Sequence, residues 1–262
     1  MYDRYRYLKF DRRSRVLTVT MNNPPVNAAS YDLHDELSYV FYDVERDAEC
    51  DVVVLTGAGR AFSAGGDFDG MLKACDDGQR RAAMIERAPH IVRSMLAMSK
   101  PLIARVNGHA MGLGATLALL ADVAISVDSA KFADSHVKVA LSAGDGGALL
   151  WPLLIGYARA RHYLLTGEAI AAPEAVAIGL IHQAVSAEQL DTAVATYVDC
   201  LLALPALAVR ATKRTINMGL RQQAEALADG HAALEHLTLA SADHREAVHA
   251  ILEKRAPVFR GT

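Results

Sequence analysis

Two glycine-rich segments have the residue types and spacing of loops that bind a negatively charged oxygen. Residues 106–116 (Val-Asn-Gly-His-Ala-Met-Gly-Leu-Gly-Ala-Thr) and residues 57–67 (Gly-Ala-Gly-Arg-Ala-Phe-Ser-Ala-Gly-Gly-Asp) each follow a strand-like run and precede a helix-like one. The first N–H groups of a helix lack partners, and the helix dipole adds positive charge there. Either segment alone can be a simple tight turn. Two of them at one sheet edge can direct two N–H donors at one oxygen, as an oxyanion hole does.

Neither segment is a nucleotide-binding motif. The first Gly-x-Gly lacks the third glycine of a dinucleotide fingerprint, and no Gly-Lys-Ser/Thr sequence of a Walker loop occurs. The net charge of −3 argues against a nucleic-acid surface. The cysteines, Cys50, Cys75 and Cys200, are too far apart for a zinc or disulfide framework, so we expect no bound metal and a reducing cytoplasm. No signal peptide or membrane span is expected.

Strand and helix patterns alternate through the first half of the 262 residues. Strands are predicted at residues 16–21, 51–56, 101–106, 123–127 and 180–185. Helices are predicted at 30–46 with Ser30 as N-cap, 71–98 with a break near Pro89, 113–121, 148–155, 158–165, 173–178 and from 186 to about 255 with breaks at Pro205, Gly219 and Gly230. This order indicates an α/β fold with a mostly parallel sheet. We predict a core over residues 1–190 and a helical region over 191–262.

Several motifs in order resemble the crotonase (enoyl-CoA hydratase/isomerase) superfamily over nearly the whole chain. They lie at residues 23–28 (Asn-Pro-Pro-Val-Asn-Ala), 61–67, 106–114, 121–125, 164–168 and 253–259. The resemblance implies a spiral of ββα units, a helical C-terminal trimerisation region, and a homotrimer or dimer of trimers. It also implies acyl-CoA substrates, with coenzyme A as part of the substrate and no separate cofactor.

The resemblance further implies roles for single residues. Gly66 and Leu113 would donate their N–H groups to the thioester oxygen. The substrate-binding residues would be Pro25, Val26, Ala64, Gly65, Asp67, Gly112 and Thr116, with the first three bordering CoA. For Asp67, capping the next helix is the favoured interpretation.

The chain departs from the family where hydratases carry two glutamates. Those positions hold Thr116 and His136, so the usual pair that positions water is missing. Asp145, nine residues after His136 in a glycine-rich loop, is the candidate partner of that histidine. A His–Asp pair can move a proton near neutral pH, with the carboxylate fixing the ring's tautomer. Taken singly, His136 can equally be a satisfied core histidine and Asp145 a helix N-cap.

The same pair resembles the β-diketone hydrolase (6-oxocamphor hydrolase-like) branch, which directs water at a carbonyl. The carrying residues are His136, residues 143–146, 151–152 and 165–167. Leu113 stands where that branch has an oxyanion histidine, and His109 nearby is interpreted as structural. Asp128 and Asp134 are expected in surface turns, and Trp151 and Tyr157 in the core.

Three functions therefore remain as hypotheses. The first is an enoyl-CoA hydratase/isomerase-like enzyme that holds a thioester in the oxyanion hole and uses His136 with Asp145 for acid–base chemistry. The second is hydrolytic C–C cleavage of a β-dicarbonyl without CoA. The third is a non-catalytic protein of the same fold.

Overall fold

The main sheet brings the ends of two buried strands, and the glycine-rich loops after them, to one edge. The computed structural model describes the backbone of residues 1–262 and every side chain except those of Ile85 and Ala88. Strands lie at β1 (Leu8–Arg13), β2 (Val16–Met21), β3 (Val52–Gly57), β4 (Leu102–Val106), β5 (Ala110–Met111), β6 (Val123–Val127), β7 (Lys131–Ala133), β8 (Ile170–Ala171) and β9 (Gln183–Val185).

Six strands form the main sheet in the order β1-β2-β3-β4-β6-β9. Only β1 runs antiparallel to its neighbour, and the other pairs are parallel. Every residue of β3 is buried, as expected for a strand covered on both faces. The α/β prediction is confirmed. Strand β1 was not predicted, and β9 is shorter than its predicted range because residues 180–182 precede the pairing with β6.

A second, three-stranded sheet fixes the later loop to the segment that follows β7. In this sheet β7 is the central strand. It pairs in parallel with β5 on one side and antiparallel with β8 on the other. Isolated bridges join Ala29 to Gly66 and Ser63 to Ala110. These short pairings carry too little periodicity to be predicted from sequence, yet they set the spacing of the loops.

Helices cover both faces of the main sheet and form the C-terminal region. They are α1 (Tyr31–Arg46), α2 (Phe68–Asp76), α3 (Gly78–Ala97), α4 (Leu113–Leu120), α5 (Gly147–Thr166), α6 (Ala172–Ala177), α7 (Leu190–Leu202), α8 (Ala206–Leu239) and α9 (Ala242–Leu252), with a 3₁₀ helix at His136–Val139. Ser30 caps α1 as predicted, accepting from the Leu33 N–H. Two predicted segments, 148–155 and 158–165, are the halves of α5 on either side of the non-helical Gly156.

Three predicted helix breaks are wrong. The first break lies at Asp77, whose carboxylate caps α3, and Pro89 lies inside that helix. Helix α8 runs without interruption through Gly219 and Gly230. A glycine costs a helix only about 1 kcal/mol, which the packing of α8 against α3 offsets. Trp151 is fully buried as predicted, but Tyr157 is 64% exposed just after the bend at Gly156.

No single helix of the described chain has the length and apolarity to cross a bilayer, although the bent pair of α7 and α8 meets that test by composition. Where the core ends and the C-terminal region begins, and whether that region forms trimers, stay predictions.

An ion pair between the buried Lys213 and the solvent-exposed Asp122 attaches α8 to the main sheet. Lys213 Nζ donates to the Lys100 carbonyl oxygen at 2.8 Å and to Asp122 Oδ2 at 2.6 Å. Lys213 is buried, and Asp122 also accepts from the Leu102 N–H at the start of β4. This contact therefore holds the long C-terminal helix against two strands of the core.

We expect Lys213→Ala to lower the free energy of unfolding by about 1–2 kcal/mol, because it leaves the Lys100 carbonyl without its donor, while water solvates the exposed Asp122 carboxylate. Denaturant unfolding measures this loss. Arg214→Ala is the matched control, since Arg214 is exposed beside Glu45 and should contribute less than about 1 kcal/mol. Equal losses from the two substitutions would contradict the expectation.

Candidate active site

The two glycine-rich loops touch each other at the edge of the main sheet. One close approach is between Gly65 and residues 111–112, where a Cβ on Gly65 would lie 2.7 Å from the Met111 carbonyl oxygen. The Met111 N–H donates to the Ser63 carbonyl oxygen at 3.0 Å. Gly114 packs equally closely, since its Cβ would lie 2.6 Å from the same Ser63 oxygen. Side chains are excluded here so that the two backbones can meet.

A cavity of about 70 Å³ lies beside this contact. Its wall includes Gly66, Leu113, His136, Asp145 and Glu235. The N–H groups of Gly66 and Leu113 donate to no other group in the described part of the chain. Leu113 is the first residue of α4, whose dipole adds positive charge at that end. The loops thus present two unpaired N–H donors to the cavity that holds His136 and Asp145.

His136 lies between two carboxylates. Its Nδ1 is 2.7 Å from Asp134 Oδ1, and its Nε2 is 3.3 Å from Asp145 Oδ2. Burial alone would lower the pKa of this imidazole, but the charge of Asp145, then that of Asp134, outweighs burial and holds the pKa well above 6.5. The raised pKa favours the imidazolium form of His136, in which one ring N–H faces Asp134 and the other faces Asp145.

Asp134 is not the exposed turn residue that the sequence suggested. Only 1% of it is exposed, and its Oδ1 also accepts from the His136 backbone N–H at 3.3 Å. It follows β7 directly, so the strand's pairing with β5 fixes it below the ring. Asp128, in contrast, is exposed as predicted. The sequence signal that could have identified this contact is an Asp two residues before a His.

Asp145 meets His136, as the sequence predicted, but its environment makes it a weak base. Burial raises its pKa, while the charge and hydrogen bond of His136 and the Thr116 hydroxyl lower it, with a net decrease. Thr116 donates to Asp145 Oδ1 at 3.2 Å from a fully buried position. Thr116 thus supports Asp145 and lies outside the cavity wall, and its contact with substrate stays a prediction.

Glu235, on α8, enters the cavity from the C-terminal region. Its Oε2 is buried and has no hydrogen-bond partner among the described residues. Burial, and next the charge of Asp145, raises the pKa of this carboxyl to about 7. A Cβ on Gly144 would lie 2.7 Å from Oε2, so the loop that bears Asp145 passes directly beside it. Sequence reasoning missed Glu235, although it shares a helical face with Ala224, Ala228 and Leu239.

His34, on α1, is a second residue of the cavity wall that sequence reasoning missed. Burial lowers the pKa of this imidazole to about 4, although the nearby charge of Asp145 opposes that shift. His34 is consequently neutral at pH 7. A neutral ring offers one donor and one acceptor to a ligand without adding a second positive charge beside His136.

The remaining predicted site residues occupy three settings. Asp67 lines the cavity and also caps α2, accepting from the Gly70 N–H at 2.8 Å. Gly65 and Gly112 form the contact between the loops. Pro25, Val26 and Ala64 lie outside the cavity wall, where the Ala64 N–H donates to the Val26 carbonyl oxygen and both Pro25 and Ala64 are exposed. His109 is structural as predicted, since its Nδ1 accepts from the Lys131 N–H.

The donor set does not require a metal for charge balance. Ligand atoms of Asp134, His136 and Asp145 lie within 4.8 Å of one another, close enough to share a cation. Both carboxylates, however, already face the imidazolium, which supplies the positive charge that buried carboxylates need. A metal would have to displace a ring proton that the site binds tightly.

Comparison with known proteins agrees with this geometry. The family model described as enoyl-CoA hydratase/isomerase matches residues 11–262. The chain belongs to this family. It is an enzyme of the crotonase superfamily, and the resemblance drawn from its motifs is confirmed.

Individual relatives align along almost their whole length. The 1,2-epoxyphenylacetyl-CoA isomerase of Escherichia coli is 35% identical, with 94% of this chain and 95% of the relative covered. The short-chain-enoyl-CoA hydratase of Clostridium acetobutylicum is 29% identical, with 94% of each covered. An enoyl-CoA hydratase/isomerase structure from Mycobacterium paratuberculosis superposes with a TM-score of 0.91 at 35% identity, covering 95% of this chain and 99% of that one.

Proposed function

We propose that the protein acts on an acyl-CoA thioester and moves a proton on a carbon next to the thioester carbonyl. The observation that carries the proposal is the pair of unpaired N–H donors, Gly66 and Leu113, on a cavity that also holds titratable side chains. Relatives along the whole chain are named for reactions of CoA thioesters, both isomerisation and hydration. The three free cysteines fit a reducing compartment such as the cytoplasm.

The oxyanion hole supplies the electrostatic part of this mechanism. The thioester oxygen accepts from the Gly66 and Leu113 N–H groups, and the α4 dipole adds to their effect. When the neighbouring carbon loses a proton, the electron pair of the C–H bond moves toward the carbonyl and negative charge grows on that oxygen. Donors already in place stabilise this enolate more than the neutral thioester, which lowers the barrier.

Glu235 is the group best matched to carry the proton. A catalytic acid or base is most effective when its pKa lies near the working pH, and the pKa of Glu235 is raised to about 7. The pKa of Asp145 is lowered, which weakens it as a base toward a carbon acid, and the pKa of His136 is raised, which weakens its imidazolium as an acid. In our proposal the carboxylate of Glu235 takes the proton from the substrate and returns it. The charges of His136 and Asp145 set the electrostatic environment of that carboxylate.

Deuterium exchange tests enolate formation without knowledge of the true substrate. Purified protein is incubated with saturated acyl-CoA thioesters in deuterium oxide, and mass spectrometry follows the hydrogens next to the carbonyl. We expect exchange by the wild type and a loss of about 100-fold or more in Glu235→Gln, which lacks the proposed proton carrier. Binding of acyl-CoA without exchange, and without turnover of 2-enoyl or 3-enoyl thioesters, would exclude the proposal. Those enoyl substrates also distinguish hydration from isomerisation.

A second candidate function is hydrolysis of a β-dicarbonyl compound without CoA. The contact between His136 Nε2 and Asp145, at 3.3 Å, favours it, because this arrangement can hold a water next to a carbonyl. Cyclic 1,3-diketones in the same panel test this candidate. If wild type and His136→Gln cleaved these diketones at the same rate, a mechanism in which His136 and Asp145 hold the water would be rejected.

A further inference from the structure

His136 has a second carboxylate partner that lies away from the cavity. Asp145 faces the cavity and approaches Nε2, whereas Asp134 lies behind the ring and binds Nδ1 and the backbone N–H of the same residue. The Nδ1 contact, at 2.7 Å, is shorter than the Nε2 contact, at 3.3 Å. The stronger attachment of the ring is thus to the carboxylate that a substrate does not reach.

Asp134 is itself fixed by the beginning of α5. Its Oδ2 is buried without a hydrogen-bond partner among the described residues, and a Cβ on Gly147 would lie 1.7 Å from it. Only glycine leaves room for the carboxylate at that position. The N-terminus of α5 stabilises negative charge there through its dipole. Strand β7 on one side and α5 on the other therefore hold Asp134 in one place.

We propose that Asp134 is a positioning residue that holds the His136 ring with Nε2–H directed at Asp145 and the cavity. This inference rests on the proposed function for its catalytic meaning, although the orientation itself does not depend on the substrate. With Nδ1 engaged behind the ring, the proton on Nε2 can be shared only with Asp145 or a ligand. Asp134 thus determines which nitrogen serves the reaction.

Asp134 also affects the charge of the cavity. The groups that face His136 are Asp134, Asp145, Glu235 on α8 and His244 on α9, while His34 on α1 faces Asp145. The charge of Asp134 contributes to keeping Glu235 protonated as well as to keeping His136 charged. Removal of that charge should make His136 easier to deprotonate and Glu235 easier to ionise.

Two substitutions separate charge from orientation. Asp134→Asn keeps an oxygen that accepts from Nδ1 but removes the charge, and Asp134→Leu removes both with a similar shape. NMR titration of the His136 ring in the substrate-free protein gives the first readout. We expect the His136 midpoint to fall by about 1–3 pH units in both variants. Asp128→Asn, in an exposed turn just before β7, is the matched control and should leave the midpoint unchanged.

Kinetics give the second readout. We expect Asp134→Asn to lower kcat by about 10-fold with a displaced pH profile, and Asp134→Leu to lower kcat by about 100-fold, with KM little changed in both. An unchanged His136 midpoint in folded Asp134→Asn would overturn the inference. If the midpoint moves while the wild type exchanges no hydrogen on any acyl-CoA, the positioning role stands and the proposed function fails.

Discussion

A Glu235→Gln variant is expected to lose about 10²- to 10⁴-fold in kcat at neutral pH while its KM changes little. Glutamine has nearly the shape of the protonated carboxyl, so it keeps the cavity closed but can neither take nor give a proton. The wild-type kcat profile should show an ionisation near pH 7, where the pKa of Glu235 is raised. The pH profile of the residual activity of Glu235→Gln should lack this ionisation.

The same substitution should change stability in a direction that depends on pH. Because burial raises the pKa of Glu235 from 4.5 to about 7, the folded protein binds this proton more tightly than the unfolded chain does. Its stabilising contribution is complete below about pH 4.5 and is lost as the pH rises through 7. Relative to the wild type, Glu235→Gln should gain on the order of 2 kcal/mol above pH 7 and nothing near pH 4.5.

Glu225→Gln provides the matched control on the same helix. Glu225 pairs with Arg93 at the surface. Glu225→Gln should therefore leave kcat unchanged and lower the free energy of unfolding by less than about 1 kcal/mol at any pH. If Glu235→Gln kept wild-type kcat and the same pH profile, Glu235 would not carry the proton.

The second large effect is expected from Gly114→Ala. The added Cβ would lie 2.6 Å from the Ser63 carbonyl oxygen and 2.8 Å from the Ser63 Cβ, so the two loops must move apart. The Gly66 and Leu113 N–H groups would then no longer converge on one oxygen. Loss of one such donor lowers kcat by about 10²- to 10³-fold, and we expect a decrease of this size.

Gly219→Ala separates this effect from the general effect of a methyl group. Gly219 is an exposed residue inside α8 with no atom within 4 Å of the added Cβ. Alanine there should stabilise the protein by about 1 kcal/mol without changing kcat. Steady-state kinetics and thermal unfolding of both variants provide the measurement. Gly114→Ala with wild-type kcat would mean that the loops tolerate displacement, contrary to the proposed oxyanion hole.

Local patterns predicted the parts of the fold and the site that depend on neighbours in sequence. Buried runs such as β3, the Ser30 cap of α1 and the meeting of the two glycine-rich loops all follow from strand, cap and turn chemistry. The contact of His136 with Asp145 followed from positions in a family pattern and was then found in the structure.

The rest depended on packing between distant segments. Glu235 reaches the cavity because α8 packs on α3, and no local pattern specifies that docking. Asp134 looked like a turn residue because it follows a three-residue strand, which is too short for its pairing to be recognised. The unbroken course of α8 likewise reflects tertiary contacts that outweigh the low helix propensity of Gly219 and Gly230.

The place of Glu235 in α8 makes the order of synthesis matter. A ribosome releases both glycine-rich loops, His136 and Asp145 well before it adds the helix that bears this carboxyl. A nascent chain at that stage has the groups that bind a carbonyl but not the one that would move a proton. Under the proposed function, turnover would therefore begin only after α8 has been synthesised, and messages cut short upstream of α8 would yield products without the proposed proton carrier.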